Sequence, residues 1–138
     1  MISTRQAPLR YAVLLLFLAV PLRAEYLRIE LKVYGLDCEL CARGVSASIG
    51  KLAGVQSVKI SLQTGLLQIT LAPGNSFKMS DLRKRIRQNG FRAMQAKVTA
   101  LGIFRGSRFE VLGTGESYPL DNHGSASDAP TQITFETQ

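Results

Sequence analysis

The spacing of apolar residues changes in a set order between positions 27 and 98, and this order limits the fold more than any other feature of the sequence. Leu27 to Val33 alternates apolar and polar residues, which indicates a strand with one buried face. From Leu40 the spacing becomes helical, and two further alternating runs joined by a tight link follow it. A second helical run has Ser80 as its predicted N-cap, and a last strand begins at Phe91.

This order of elements predicts an α+β fold. A strand, helix, strand, strand, helix, strand sequence is typical of a ferredoxin-like βαββαβ sandwich, in which an antiparallel four-stranded sheet carries two helices on one face. Residues 25–98 would form this domain. Residues 99–138 would add a C-terminal β extension with a flexible loop at 113–130. About forty residues are too few for a separate core, so the extension should pack on the first domain or on a partner.

The first 24 residues have the pattern of a secretory signal peptide. Arg5 and Arg10 precede an apolar stretch, Tyr11 to Val20, that is roughly half the ~20 residues needed to span a bilayer. Cleavage is expected after Ala24, and the alternative is an uncleaved membrane anchor. We therefore expect an exported, periplasmic or extracytoplasmic protein that contacts a membrane only through this segment, if the segment is retained.

The charge balance by itself suggests a partner that is a polyanion. The chain has 17 Lys and Arg against 10 Asp and Glu, a formal net charge of +7. However, three of the arginines lie in residues 1–24, and four basic residues crowd the helical run Arg83 to Arg87. We interpret that run as a solvated helix face, with a docking patch as the alternative. Because the aromatic residues fall at core positions, no nucleic-acid binding is predicted.

The two cysteines of the chain, Cys38 and Cys41, lie where a loop enters the first helix. Their i, i+3 spacing brings both sulfurs to one side of the first turn, where free N–H groups favour thiolates. Asp37 or Cys38 is the expected N-cap. A pair of thiolates suits soft ions that accept low coordination, Cu(I) first and Hg(II) second. Zn(II) would need more ligands, and the single histidine, His123, lies in a polar segment and is expected to be solvated.

Around these cysteines the chain resembles the heavy-metal-associated domain family, which includes copper chaperones, modules of copper-transporting ATPases and a periplasmic mercury-binding protein. The family pattern Gly-Met-x-Cys-x-x-Cys is matched by Gly35 to Cys41, with Leu36 at the Met position. The downstream pattern of hydrophobic residues is matched by Val45, Ile49, Leu52, Gly54-Val55 and Val58, and the late Gly-aromatic pair by Gly90-Phe91.

The resemblance implies that Cys38 and Cys41 bind the metal and that four residues surround the metal loop: Gly35, Leu36, Asp37 and Phe91. It also implies a carrier that passes its ion to a partner by stepwise thiolate exchange. That partner would be a metal-donor or metal-acceptor protein, for example a membrane transporter.

Two other interpretations of the sequence remain open. Cysteines at i, i+3 can close a small ring in an oxidising compartment, so the pair could be a structural or redox disulfide. Oxidoreductases similar to thioredoxin place their CxxC in a different order of elements, so no enzyme is expected. Alternatively, the metal-binding fold serves only for packing, and residues 99–138 provide the edge of an interaction module.

Overall fold

The structure is a computed structural model that describes residues 25–120 and 129–138. The predictions for the signal peptide and for His123 lie outside these residues. Neither helix in the described ranges combines the length and the apolar character needed to cross a bilayer.

Two helices and seven antiparallel strands make up the described part of the chain. In chain order they are β1 (Tyr26–Tyr34), α1 (Glu39–Gly50), β2 (Val55–Ser61), β3 (Leu66–Leu71), α2 (Met79–Gln88), β4 (Arg92–Arg105), β5 (Arg108–Val111), β6 (Glu116–Pro119) and β7 (Thr131–Thr137). The strands are hydrogen-bonded in the order β2-β3-β1-β4-β5-β6, and β7 also pairs with β4. The predicted antiparallel sheet, two helices and additional C-terminal strands are therefore all present.

The alternation in β1 places the core on one face of the sheet. Ile29, Leu31 and Val33 are buried, whereas Arg28 and Lys32 on the other face are at most partly buried. The helices contribute to the same apolar cluster as these strand residues, through Val45 and Ile49 from α1 and Leu82 and Ile86 from α2. Burial of these side chains is the main source of stability for the domain.

Three boundaries differ from the sequence predictions. Helix α2 begins at Met79, and its N-cap is Lys78 rather than Ser80. Strand β4 continues to Arg105, well past the predicted end near residue 98, because β7 pairs with it as far as Gly102 and β5 pairs with it from Ile103 to Arg105. The loop predicted for 113–130 contains the short strand β6.

The C-terminal strands complete the core of the domain. Phe109 of β5 is fully buried and packs against Phe104 and Phe135, with ring centroids 5.2 and 5.7 Å apart. Gly102 allows β4 and β5 to approach, because a Cβ at this position would lie 2.3 Å from the carbonyl oxygen of Glu110. Of the two alternatives that the sequence left open, the first domain or a partner, the extension packs on the first domain, and its aromatic residues belong to the same core.

A carboxylate from the extension caps helix α2. The side chain of Lys78 makes no capping hydrogen bond. Instead, Glu116 of β6 accepts the N–H groups of Met79 at 2.9 Å and Ser80 at 3.1 Å, which have no partners inside the helix. The hydroxyl of Tyr26 donates to the same carboxylate at 2.5 Å and lies 2.7 Å from the hydroxyl of Tyr118.

Burial strengthens the preference of both of these tyrosines for the neutral form. It raises the pKa of Tyr118 to about 12, and it also raises the pKa of Tyr26 above its ordinary value. The neutral hydroxyl of Tyr26 is thus available as a donor to Glu116.

We expect Glu116→Ala to lower the free energy of unfolding by about 1–3 kcal/mol, because it removes the cap of α2 and leaves the Tyr26 hydroxyl without its acceptor. Denaturant unfolding measures this. Glu110→Ala is the matched control: Glu110 lies in the same extension but makes only an exposed ion pair with Arg105 at 3.5 Å, and its loss should change stability by less than about 1 kcal/mol. Equal effects of the two substitutions would show that the cap does not stabilise the fold.

Candidate metal centre

The cysteines lie where a sharp connection leads from β1 into the first turn of α1. We call residues 35–41, the connection and this first turn together, the metal loop. β1 ends at Tyr34, and Gly35 follows with a φ of +84°, in the left-handed region that favours glycine. Helix α1 then begins at Glu39 with Cys38 as its N-cap. Of the two predicted capping residues, Asp37 and Cys38, the structure uses Cys38.

Both sulfurs are at the N-terminus of α1 and both cysteines are only partly buried. The Sγ of Cys38 accepts the N–H of Cys41 at 3.0 Å, and this bond satisfies one of the free donors of the first turn. The positive end of the helix dipole lies at the same position and favours a thiolate there. A reduced pair is thus placed where both sulfurs can reach an external ion.

In this structure Cys38 and Cys41 are joined by a disulfide, with their Cα atoms 5.2 Å apart. This is the state that the disulfide interpretation of the sequence predicts. A metal ion needs the two sulfurs as thiolates, so binding requires that the bond first be reduced.

Two apolar side chains at the metal loop pack into or against the core. Leu36, at the Met position of the family pattern, is 3% exposed and belongs to the core. Phe91 is partly buried, packs against the core, and lies beside the start of the loop: a Cβ at Gly35 would be 3.9 Å from Cδ1 of its ring. The structure therefore places Phe91 beside Gly35 at the start of the metal loop and buries Leu36 in the core.

The acidic residues of the loop differ in their partners. Glu39 makes an ion pair with Arg43 one turn along α1, at 2.5 Å, and both side chains are exposed. Asp37 is exposed and has no ion pair among the described residues. Of the two acidic residues next to Cys38, Glu39 is therefore balanced by Arg43 and Asp37 is not balanced by an ion pair among the described residues.

No group of three or more His, Cys, Asp or Glu side chains in residues 25–120 and 129–138 is arranged to hold a metal ion. What the described chain offers at the loop is a pair of sulfur donors. Such a pair leaves coordination positions open to ligands from another molecule, which suits a soft ion that is exchanged.

Sequence reasoning missed two exposed apolar side chains at the ends of the loop. Leu40 lies between the cysteines and is 80% exposed, although its position begins the helical apolar spacing. Tyr34 precedes the loop and is 72% exposed. The only sign in the sequence that Leu40 and Tyr34 belong to the surface of the site was that they lie within or close to the Gly35 to Cys41 motif.

Residues 30–92 match the model of a family described as the heavy-metal-associated domain. The chain contains a heavy-metal-associated domain. All six predicted site residues lie within this domain, and the extension that begins at residue 99 lies outside it.

Three relatives carry sequence similar to this chain. The mouse (Mus musculus) protein "Copper-transporting ATPase 1" is 28% identical over 119 residues, which cover 83% of this chain and 8% of the ATPase. The Serratia marcescens protein "Mercuric reductase" is 35% identical over 104 residues, covering 75% of this chain and 22% of the reductase. "Copper chaperone CopZ" of Bacillus subtilis (strain 168) is 28% identical over 61 residues, covering 44% of this chain and 87% of CopZ.

The matches take in only a small part of the two larger relatives, since this chain spans less than a quarter of either one. The match to CopZ, in contrast, spans most of that protein. The names of these relatives refer to copper and to mercury, the two metals that the sequence predicts.

Proposed function

We propose that this protein is an exported carrier that holds a soft metal ion, Cu(I) first and Hg(II) second, between the reduced thiolates of Cys38 and Cys41. The observation that carries the proposal is the placement of two partly exposed sulfurs at the N-terminus of α1, inside a heavy-metal-associated domain. The similarity to a copper chaperone and to a mercuric reductase supports the same class of ion.

The cargo leaves by thiolate exchange. With two sulfurs on the ion and open positions around it, a thiolate of a partner can bind before Cys38 or Cys41 departs. The free ion is then never released into solvent. The partner is a metal donor or acceptor, and a membrane transporter is one such protein. In this proposal the chain is not an enzyme, because the exchange makes and breaks only metal–sulfur bonds.

Titration of the purified protein with Cu(I) under anaerobic conditions tests the proposal. We expect the reduced protein to take up about one equivalent and the disulfide form to take up none, because only the reduced form has two thiolates. Competition with a coloured Cu(I) chelator gives the affinity, and native mass spectrometry gives the stoichiometry. The mass of the protein in the same spectrum shows whether residues 1–24 have been removed. Equal uptake by both forms would contradict the proposal.

The disulfide in the structure favours a second candidate, a thiol-disulfide redox protein. In that case the reduced protein would reduce a protein or small-molecule disulfide, forming the Cys38–Cys41 bond as its substrate gains two thiols. Catalytic turnover of a disulfide substrate, in the absence of metal, would establish this candidate over the carrier.

A further inference from the structure

Glu25, the first residue that the structure describes, has a buried carboxylate that belongs neither to the metal loop nor to the cap of α2. The residue is 7% exposed. Its side chain accepts the N–H groups of Gly74 and of Asn75, the latter at 3.1 Å, in the loop between β3 and α2. We call these contacts the Glu25 clasp. In the sequence, Glu25 directly follows Ala24, after which cleavage of the signal peptide is expected.

The loop that holds Glu25 is itself fixed by Asn75. This residue is 8% exposed, and its side-chain amide donates to the carbonyl oxygens of Tyr26 at 2.7 Å and Ala72 at 2.9 Å. Its Oδ1 atom accepts the N–H of Phe77 at 3.2 Å. A buried polar group that is bonded in this way is costly to expose, because several hydrogen bonds must break together. The clasp is therefore tied to the rest of the fold.

The backbone at the start of β1 is held as well. The carbonyl oxygen of Glu25 accepts the N–H of Leu101 at 2.7 Å. Tyr26 pairs with Ala100 of β4, is fully buried, and packs its ring against that of Phe77 with centroids 5.9 Å apart. The two residues that follow the expected cleavage point thus lie inside the fold with both their side chains and their backbone.

This burial limits access to the bond between Ala24 and Glu25. A protease holds residues on both sides of the bond that it cuts, so a buried and hydrogen-bonded segment must first unfold locally. The rate of cleavage then follows the small fraction of molecules in which the segment is open. Here, opening would break the Glu25 clasp, the bond from Asn75 to Tyr26, and the contacts of Tyr26 with β4.

We infer that the Glu25 clasp protects the bond between Ala24 and Glu25, so that this bond is hydrolysed only before the domain folds. Hydrolysis adds one water across the amide and leaves a carboxylate on Ala24 and an ammonium group on Glu25. A chain that folds first keeps its apolar N-terminal segment and stays at the membrane. The cleaved signal peptide and the uncleaved anchor are then two outcomes of one competition between cleavage and folding. The inference rests on the proposed export of the carrier and adds to it what decides whether the carrier is released.

A purified signal peptidase tests the inference on two substrates in detergent solution. One is the full chain, refolded with residues 1–24 in place. The other is a synthetic peptide of residues 8–31, which contains the same bond but lacks the loop at Gly74 and Asn75. We expect the peptidase to cut the peptide after Ala24, and to cut the folded chain at least about 100-fold more slowly. Mass spectrometry of the products over time identifies the bond and gives both rates.

Two asparagine variants of the full chain locate the protection. Asn75→Ala removes the hydrogen bonds of the Asn75 side chain and should raise the rate of cleavage of the folded chain about tenfold. Asn89→Ala is the matched control, because its side chain donates to Ser48 and Arg85 at the end of α2. It should leave the rate unchanged within about twofold. If Asn75→Ala does not fold, Asn75→Asp keeps the acceptor for Phe77 and should also raise the rate.

If the folded chain is cut as fast as the peptide, the clasp gives no protection and the inference is wrong. A peptide that is not cut after Ala24 would also overturn it, because no processing site would exist there. Equal acceleration by the two asparagine variants would show that overall stability, and not the clasp, controls access. Cu(I) titration of the same refolded chain is a separate measurement: protection without Cu(I) uptake would support the clasp and contradict the carrier function.

Discussion

The double variant Cys38→Ser/Cys41→Ser should bind no Cu(I), and each single variant should bind it at least about 1,000-fold more weakly, a loss of about 4 kcal/mol. A serine hydroxyl stays protonated at neutral pH and is a hard oxygen donor, so it cannot replace a soft thiolate. Chelator competition on the reduced proteins measures the loss.

The fold should survive these substitutions. Cys38 is the N-cap of α1 and its Sγ accepts the N–H of Cys41. Serine is among the preferred N-cap residues, so Cys38→Ser keeps this interaction. Asp37→Asn is the matched control, because it removes the exposed loop carboxylate and leaves both sulfurs. It should change Cu(I) affinity by less than about tenfold. Tight binding of one Cu(I) by the double variant would place the metal elsewhere.

The second large effect is on stability. Phe109→Ala should lower the free energy of unfolding by about 3–5 kcal/mol, because the ring is fully buried between Phe104 and Phe135 and its removal leaves a cavity. Denaturant unfolding of the reduced, metal-free proteins measures this. If the alanine variant does not fold, Phe109→Leu keeps most of the volume and should lose a smaller part of the stability.

Tyr34→Ala is the control for loss of an aromatic ring. Tyr34 is 72% exposed, so its removal should change stability by about 0.5 kcal/mol or less. Every variant that folds should still bind about one Cu(I), because neither Phe109 nor Tyr34 is a predicted ligand. If Phe109→Ala lowered the free energy of unfolding by no more than Tyr34→Ala does, the extension would not be part of the core.

The role of Phe109 also affects how the interaction-module interpretation can be tested. Deletion of residues 99–138 would remove Phe109, the cap of α2 at Glu116, and the strand β7 that pairs with β4. The deleted protein would lose a partner through unfolding even if the extension never touched that partner. Point substitutions on exposed side chains of β7, such as Gln132, are a cleaner test.

Local patterns in the sequence were enough to predict most of the first domain. The alternation in β1 and the position of Cys38 at a loop-to-helix boundary depend on neighbouring residues, and the structure agrees with both. The far end of β4 was not predictable in this way. Gly102, Ile103 and Phe104 are all buried in succession, so the alternation that identifies a half-buried strand is absent there.

The features that were missed depend on contacts between distant residues. Glu116 lies in a polar segment with no periodic pattern, and its role as the cap of α2 follows only from the fold. Similarly, Tyr34 and Arg92 are far apart in the sequence but line the same groove because β1 and β4 pair side by side. Neither arrangement leaves a local signal.

Strand β1 connects a region that stabilises the fold to a region that is proposed to exchange metal. Tyr26 at one end contacts Glu116, and Tyr34 at the other end borders the metal loop, about 26 Å away along the strand. Substitutions this far apart, with no shared contacts, have nearly additive effects. Folding stability and metal exchange can therefore change independently during evolution, and an engineer can strengthen the extension without altering the thiolates.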